Sequence, residues 1–320
     1  MIHCLGLSPA LDVTYTVPAL VPGGIHRPGV VIKLAGGKSL NVARALAALG
    51  QPVHAIAPLG GSIGSMIIEQ LAASPIRLTA VNTDTQTRFC VTVADTTAAS
   101  LTEFYEHGDD LGAGTWMEVD AAVKDIDDGW LVLSGSVPRG IPLDDLAGAL
   151  RDAADRGVRV AVDVHGAALA VLLTLARPHL VKINRSEAAE LLGMEASRAA
   201  DAPLAGLATS VHQLGAELVV ITDGVHGSLA RDQAGSLWRA RSAAPPDIYS
   251  VGSGDSFLAG LVEALAADRP LRDAMYGAAA CAAANAEAPG AATFTRGALT
   301  RARAAVTVEP DMPSGWDARA

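Results

Sequence analysis

The segment VGSGDS, Val251–Ser256, sets two glycines and a carboxylate at the entrance of the apolar run FLAGLVEALAAD. Gly252 and Gly254 allow the backbone to approach a ligand closely. The unbonded N–H groups of a first helical turn, together with the helix dipole, attract an anion there. Asp255 within that turn could take a proton from a hydroxyl while charge builds on a neighbouring phosphoryl group. The same residues also describe an ordinary helix start, since glycine is common before helices and Asp in the first turn is stabilising by itself. Spacing alone leaves these two readings level.

AGGKSLNVARALAALG, Ala35–Gly50, offers a second constellation. It is not a Walker-type phosphate loop. That motif needs a glycine four residues before Gly37-Lys38, where Ile32, Lys33 and Leu34 stand. What remains is the Gly36-Gly37 turn and a helix. Lys38 is one of only four lysines, with Lys33, Lys124 and Lys182. A cation at a helix N-terminus is unfavourable unless an anion sits there, which favours a ligand role for Lys38. Asn41, one turn on, can bond a polyol through both its C=O and its NH2.

Weaker signals lie elsewhere. Asp12 follows the first apolar run, where open α/β sheets bind ligands, yet alone it reads as a turn aspartate. Arg88 in QTRFCVTV could equally face water. In VKINRSEAAELLG, Asn184 and Glu187 share one face of a first turn and could orient metal-bound waters. A helix cap explains them as well. In LVVITDGVHGSL, Thr222 and Gly224 lie where a nucleotide could pass, or in a plain hairpin turn. The histidines form no HxH, HExxH or HxxxH set, and no zinc site is expected.

These residues need elements to hold them. Val/Leu/Ile-rich runs at Ile2–Leu7, Val53–Leu59, Trp130–Ser134, Val158–Val162, Leu180–Asn184 and Leu218–Thr222 read as strands covered on both faces. Between them, Ser39–Leu49, Gly64–Ala73, Pro142–Asp155, Arg185–Leu192 and Pro203–Leu214 read as helices. Ser253–Ala267, Leu271–Glu287 and Thr295–Val306 make a helical C-terminal third. Such alternation implies an α/β fold with a mainly parallel sheet. Two stretches, 12–34 and 76–105, alternate Thr and Val around turn residues. Both read as antiparallel strand pairs of a small sheet beside the body. Residues 1–308 then form one domain, and 309–320 read as a flexible tail.

A formal net charge of −10 argues against broad binding to nucleic acid or anionic lipid. Three scattered cysteines, Cys4, Cys90 and Cys281, fit reduced thiols in the cytoplasm rather than a disulfide framework. No signal peptide or membrane span is expected.

Taken in order, GLSPALD (Gly6–Asp12), AGGKSLNVARALAALG, PLGGSIG (Pro58–Gly64), LSGSVPRG (Leu133–Gly140), VKINRSE, ITDGVHG and VGSGDSFLAG resemble the ribokinase-like, or PfkB-type, carbohydrate kinases from Leu5 to about Leu299. SPALD, TRFCVTV and TEFYEHG (Thr102–Gly108) look most like the branch with 1-phosphofructokinase and tagatose-6-phosphate kinase. The resemblance implies an open sheet flanked by helices, with a small β-sheet lid over the sugar that pairs between subunits as a homodimer. It implies ATP with Mg2+, and a ketohexose phosphate as acceptor. Asp255 would be the base, with the N–H groups of Gly252, Ser253 and Gly254 stabilising the transferring group. Asp12, Gly36, Gly37, Lys38 and Asn41 would hold the sugar, and Lys38 with Arg88 its existing phosphate. Asn184, Glu187, Thr222, Gly224, Gly227 and Asn285 would lie on the nucleotide side, with Glu187 reaching the metal through water. The alternatives are a kinase of an unphosphorylated sugar or nucleoside, or a weakly active sugar-phosphate-binding protein on the same fold. Ile183 stands where the branch has the Pro of its strand end IKPN, and three further positions depart from it. Tyr105 and His107 replace the Asn and Pro of its TEINEPG, and Asp223 adds a negative charge beside Thr222.

Overall fold

A computed structural model describes residues 1–244 and 248–311. The Pro245-Pro246 loop and residues 312–320 of the expected tail lie outside the described residues.

The chain opens with strands β1 (Ile2–Leu5), β2 (Ala10–Val17) and β3 (Val30–Gly36), then helix α1 (Lys38–Ala48). There follow β4 (Val53–Leu59), α2 (Gly61–Ala72), β5 (Arg77–Asn82), β6 (Arg88–Asp95), β7 (Ser100–Tyr105) and α3 (Ala113–Lys124). The middle alternates β8 (Trp130–Ser134), α4 (Leu143–Asp155), β9 (Arg159–Asp163), α5 (Gly166–Leu175), β10 (Leu180–Asn184) and α6 (Arg185–Leu191). Then come α7 (Ala196–Asp201), α8 (Leu204–Gln213), β11 (Leu218–Thr222), a single helical turn at Gly224–His226, β12 (Ser228–Arg231) and β13 (Leu237–Ser242). The chain closes with α9 (Ser253–Ala266), α10 (Leu271–Ala286), α11 (Arg296–Ala304) and β14 (Val306–Pro310).

Ten strands form one sheet in the order β14-β13-β12-β11-β10-β9-β8-β1-β4-β5. β5 through β11 in that order run parallel, and β12, β13 and β14 join antiparallel. The strands read as unbroken apolar runs because both faces are covered. Trp130 and Val132 enter a core shared with α1, α2, α9, α10 and α11. Leu131 and Leu133 enter the opposite core, shared with α3, α4, α5 and α8.

The small sheet has four strands in the order β3-β2-β6-β7. β2 pairs β3 antiparallel and β6 pairs β7 antiparallel, while β2 and β6 run parallel. One expected pairing is corrected: Arg77–Asn82 lies at the edge of the large sheet, parallel to β4. Its half-exposed pattern is that of an edge strand, which alternates like a lid strand. A second correction concerns the tail. Glu309 and Pro310 belong to β14, registered against β13, and Asp311 takes two bonds from Arg239, Nε at 2.8 Å and Nη2 at 3.0 Å.

Candidate active site

The C-terminal ends of the parallel strands meet the small sheet around a cavity of about 1070 Å³. Asp12, Gly37, Lys38, Asn41, Arg88, Asn184, Glu187, Thr222, Gly224 and Gly252–Asp255 all line it. The small sheet contributes every second residue of its strands: Asp12 and Thr14 from β2, Arg88, Cys90 and Thr92 from β6, and Glu103 and Tyr105 from β7. That is the period of a pleated strand, so one face of the sheet roofs the cavity.

Helix α9 starts where it does because Gly252 takes a left-handed conformation, φ 81°. A Cβ at that position would come within 2.6 Å of the Ala291 Cβ. The Ser253 N–H is turned back onto Ser250 O at 3.0 Å. That corrects the expected trio of donors. Gly252, Gly254 and Asp255 present the N–H groups that have no protein acceptor among the described residues. Asp255 is 6% exposed. Burial pushes its carboxyl up to about 6, against the pull of Lys38, Lys182 and the Asn41 amide, while Asp163 adds to the rise.

Helix α1 brings together the groups expected at the sugar. A Cβ on Gly37 would sit 3.1 Å from Ser8 O and 3.2 Å from Ala10 N, and one on Gly36 would sit 2.2 Å from the Asp12 carboxyl carbon, so bulk is excluded at both. Gly37 N donates to Asp12 Oδ1 at 3.2 Å. Asn41 Nδ2 donates to Asp12 Oδ2 at 3.1 Å and to Asp255 Oδ2 at 3.0 Å. The two carboxylates are thus joined through one amide. Burial raises Asp12 as well, with Asn41 and Arg44 opposing.

Lys38 and Arg88 line the same cavity but have different partners. Lys38 Nζ donates to Asp163 Oδ1 at 3.0 Å and approaches Glu187 Oε1 at 3.6 Å. Asp163 therefore draws Lys38 to the side of Asn184 and Glu187. Asp163 is fully buried and also accepts from Lys182 Nζ at 2.7 Å. Desolvation works against its charge, but Lys182 and Lys38 together hold the carboxyl below the usual range. The Lys182 ammonium lies against the anion cradle, 3.1 Å from where a Gly254 Cβ would stand. Sequence reasoning missed Asp163 and Lys182. A lysine inside the apolar strand LVKIN was the available signal, because a buried ammonium requires a buried anion.

Arg88 leans on the loop that follows β7, donating to Glu106 O at 2.7 Å and to Ser8 O at 3.3 Å. Arg139, also unread in the sequence, lines the same cavity and donates from Nε to Asp110 at 3.0 Å. Two guanidinium groups thus stand on the 106–110 loop.

On the other side, Asn184 and Glu187 do form a capping box. Asn184 Oδ1 accepts from Glu187 N at 2.9 Å, and Glu187 Oε2 accepts from Asn184 N at 2.8 Å. Glu187 Oε1 stays clear of the box and faces Lys38. Thr222 and Gly224 border both the main cavity and an adjoining slot of about 480 Å³. Gly227, Val225, Phe257 and the alanines 279, 282, 283 and 286 of α10 wall that slot. Asp223 is not free to repel an anion. Arg185 holds it through two bonds of 2.8 Å and keeps its carboxyl below the usual range.

Asn285 is corrected. It is fully buried and lines neither cavity. Its Nδ2 donates to Val251 O at 2.8 Å and Ser253 Oγ at 3.0 Å, and its Oδ1 accepts from Ala292 N at 2.7 Å. It braces the VGSGDS turn from behind rather than touching a nucleotide.

A buried carboxylate at a glycine-lined helix entrance faces the cavity under the β-sheet roof, on a fold of the ribokinase-like carbohydrate kinase type. The model described as "pfkB family carbohydrate kinase" matches residues 1–296, and the chain belongs to that family. Phosphofructokinase-2 from Escherichia coli, in its tetrameric inhibited form, is similar at 28% identity, with 95% of this chain and 98% of that one covered and a TM-score of 0.83. The same enzyme in complex with fructose-6-phosphate gives 28%, 95% and 99% coverage, and a TM-score of 0.81. A protein described as a possible 1-phosphofructokinase from Thermotoga maritima shares the fold, at 23% identity, 98% and 100% coverage and a TM-score of 0.85. No helix among the described residues is long and apolar enough to cross a membrane.

Proposed function

We propose that the protein transfers the terminal phosphoryl group of ATP to a free hydroxyl of a ketohexose phosphate of the fructose-1-phosphate or tagatose-6-phosphate type, with Asp255 as general base. The observation that carries this reading is the Asp12–Asn41–Asp255 bridge: one amide ties a carboxylate at the root of the lid to the carboxylate at the anion cradle. Asp12, with Asn41 and the Gly36-Gly37 turn, orients the sugar hydroxyls. Asp255 takes the proton of the attacking hydroxyl. The hydroxyl oxygen bonds to the terminal phosphorus as the bond to the bridging oxygen breaks and ADP leaves. The N–H groups of Gly252, Gly254 and Asp255 and the Lys38 ammonium face the charge that develops. Lys38 accordingly serves the transferring group, and Arg88 with Arg139 the phosphate already on the sugar.

The alanine-walled slot has the size and apolar lining for a purine base. Its junction with the main cavity at Thr222 and Gly224 suits the phosphate chain. The donor set fits Mg2+ arriving with the nucleotide. Glu187 Oε1 can reach a water of the ion, and no cluster of three His, Cys, Asp or Glu exists among the described residues to fix a metal directly. When bound, the ion neutralises charge on the phosphate oxygens. The lid excludes water, which would otherwise compete as acceptor.

The test is a panel of free and phosphorylated ketohexoses with Mg-ATP, read by ADP release. Asp255→Asn is expected to lower kcat by roughly 10²-fold or more. Arg88→Ala is expected to raise the KM for the sugar phosphate, since charge-assisted contacts to phosphate are strong. Turnover near wild type in Asp255→Asn sinks the mechanism. A second reading, a kinase of an unphosphorylated sugar, is favoured by Glu103 and Glu106 in the cavity lining, because carboxylates repel a phosphate. Free sugars would then outperform phosphorylated ones, and Arg88→Ala would leave KM unchanged.

A further inference from the structure

Asn41 can serve two carboxylates only in one orientation. Its amide carries NH2 on one side and C=O on the other, so a half-turn about the last bond would aim Oδ1 at both Asp12 and Asp255 and lose both bonds. Arg44, one helical turn along α1, donates from Nη1 to Asn41 Oδ1 at 3.0 Å. A guanidinium only donates, so this contact exists in one orientation of the amide and not in the other. Arg44 is itself anchored on backbone carbonyls. Nη1 donates to Ala291 O at 2.7 Å, and Nη2 donates to Ala35 O. Ala291 packs against Gly252 at the entrance of α9, and Ala35 lies at the foot of lid strand β3. The guanidinium therefore spans α1, the root of the lid and the loop behind the anion cradle.

We propose that Arg44 is a positioning residue for phosphoryl transfer: it locks the Asn41 amide with NH2 toward Asp12 and Asp255, keeping the sugar-holding group and the base in fixed register. The inference rests on the reading of Asp255 as base. Its chemical necessity follows from the proton that Asp255 accepts. A carboxyl that has just become an acid is a hydrogen-bond donor, and it invites the amide to turn its oxygen round. Arg44 holds that oxygen, so the amide stays a donor and the site is reset once the proton leaves.

A double-mutant cycle on kcat tests this. Arg44→Met is expected to lower kcat roughly ten-fold in the wild-type background and less than about two-fold when Asn41 is already Ala. Equal losses in both backgrounds, or none, overturn the proposal, because Arg44 would then act independently of the amide. Arg44→Lys keeps the charge without the planar fork and is expected to recover only part of the rate. Full recovery would show that charge alone suffices and defeats the lock. A second readout needs no turnover. The side-chain NH2 signals of Asn41, assigned in 15N spectra by their loss in Asn41→Ala, are expected to exchange with solvent roughly ten-fold faster in Arg44→Met. Should Arg44→Met not fold, Arg44→Lys takes its place. Unchanged exchange overturns the proposal. If the wild-type protein phosphorylates no sugar, the reading of Asp255 fails, and the amide measurement still decides the role of Arg44.

Discussion

At the scale of single residues, the protein sets two buried carboxyls in opposite conditions. Asp163 has two ammonium partners and stays ionised well into acid. Asp255 has none in direct contact, and burial raises it to about 6. A base must be ionised to accept a proton, so kcat/KM is expected to rise with pH through about 6 and to level off above it. The same shift has a cost in stability. A carboxyl whose folded pKa lies above its unfolded one destabilises the fold as pH climbs from the ordinary aspartate range to the raised value, and the penalty persists above it. Asp255→Asn is therefore expected to raise Tm at pH 8 and to lose most of that gain near pH 4. Thermal melts at the two pH values check this, and a difference independent of pH would contradict it.

At the scale of elements, α10 shows how a helix face comes to wall a slot. Ala279, Ala282, Ala283 and Ala286 repeat at helical spacing and leave room where larger side chains would fill the slot. Ala283→Phe is expected to weaken ADP binding at least roughly ten-fold while the sugar site keeps its affinity, as titration calorimetry with each ligand would read. Retained ADP affinity would move the nucleotide elsewhere. The elements that carry this site differ in how openly the sequence announces them. β4, β8, β10 and β11 match the expected ranges residue for residue, because strands buried on both faces read as plain apolar runs. β5 was drawn into the small sheet because an edge strand alternates like a lid strand. α5 is nearly all apolar and has no stripe to mark it as a helix. Lys38, Asn41 and Asp255, which line one cavity, stand out in the sequence at glycine turns and helix starts, whereas Asp12 alone reads as a turn aspartate and is singled out only by the family resemblance. Asp163 does not stand out, because its role depends on which strands lie side by side. The place of Asn285 is not legible, because a buried asparagine bracing a turn and one facing a ligand are the same residue in sequence.

At the scale of the whole molecule, we propose that the small sheet mediates a homodimer. On one face it leaves Val31 50% exposed and Phe104 59% exposed, and the neighbouring loop leaves Ile25 86% exposed. Apolar surface of this kind on an otherwise acidic chain suits a partner of the same shape. Light scattering on the purified protein is expected to give twice the chain mass, and Val31→Glu with Phe104→Glu is expected to halve it. A monomeric wild type would contradict the pairing.

Lys38 and Lys182 face Asp163 and Glu187, two positive charges against two negative, inside a chain whose formal net charge is −10. An approaching anion is thus repelled at long range and meets free donors only at the entrance of α9, where the N–H groups of Gly252, Gly254 and Asp255 stand. Dissolved ions damp the first effect, over a Debye length of about 10 Å at 0.1 M, far more than the second. Moderate ionic strength is therefore expected to quicken capture of such an anion while changing its affinity little, the reverse of what holds for proteins that gather phosphates on broad basic surfaces.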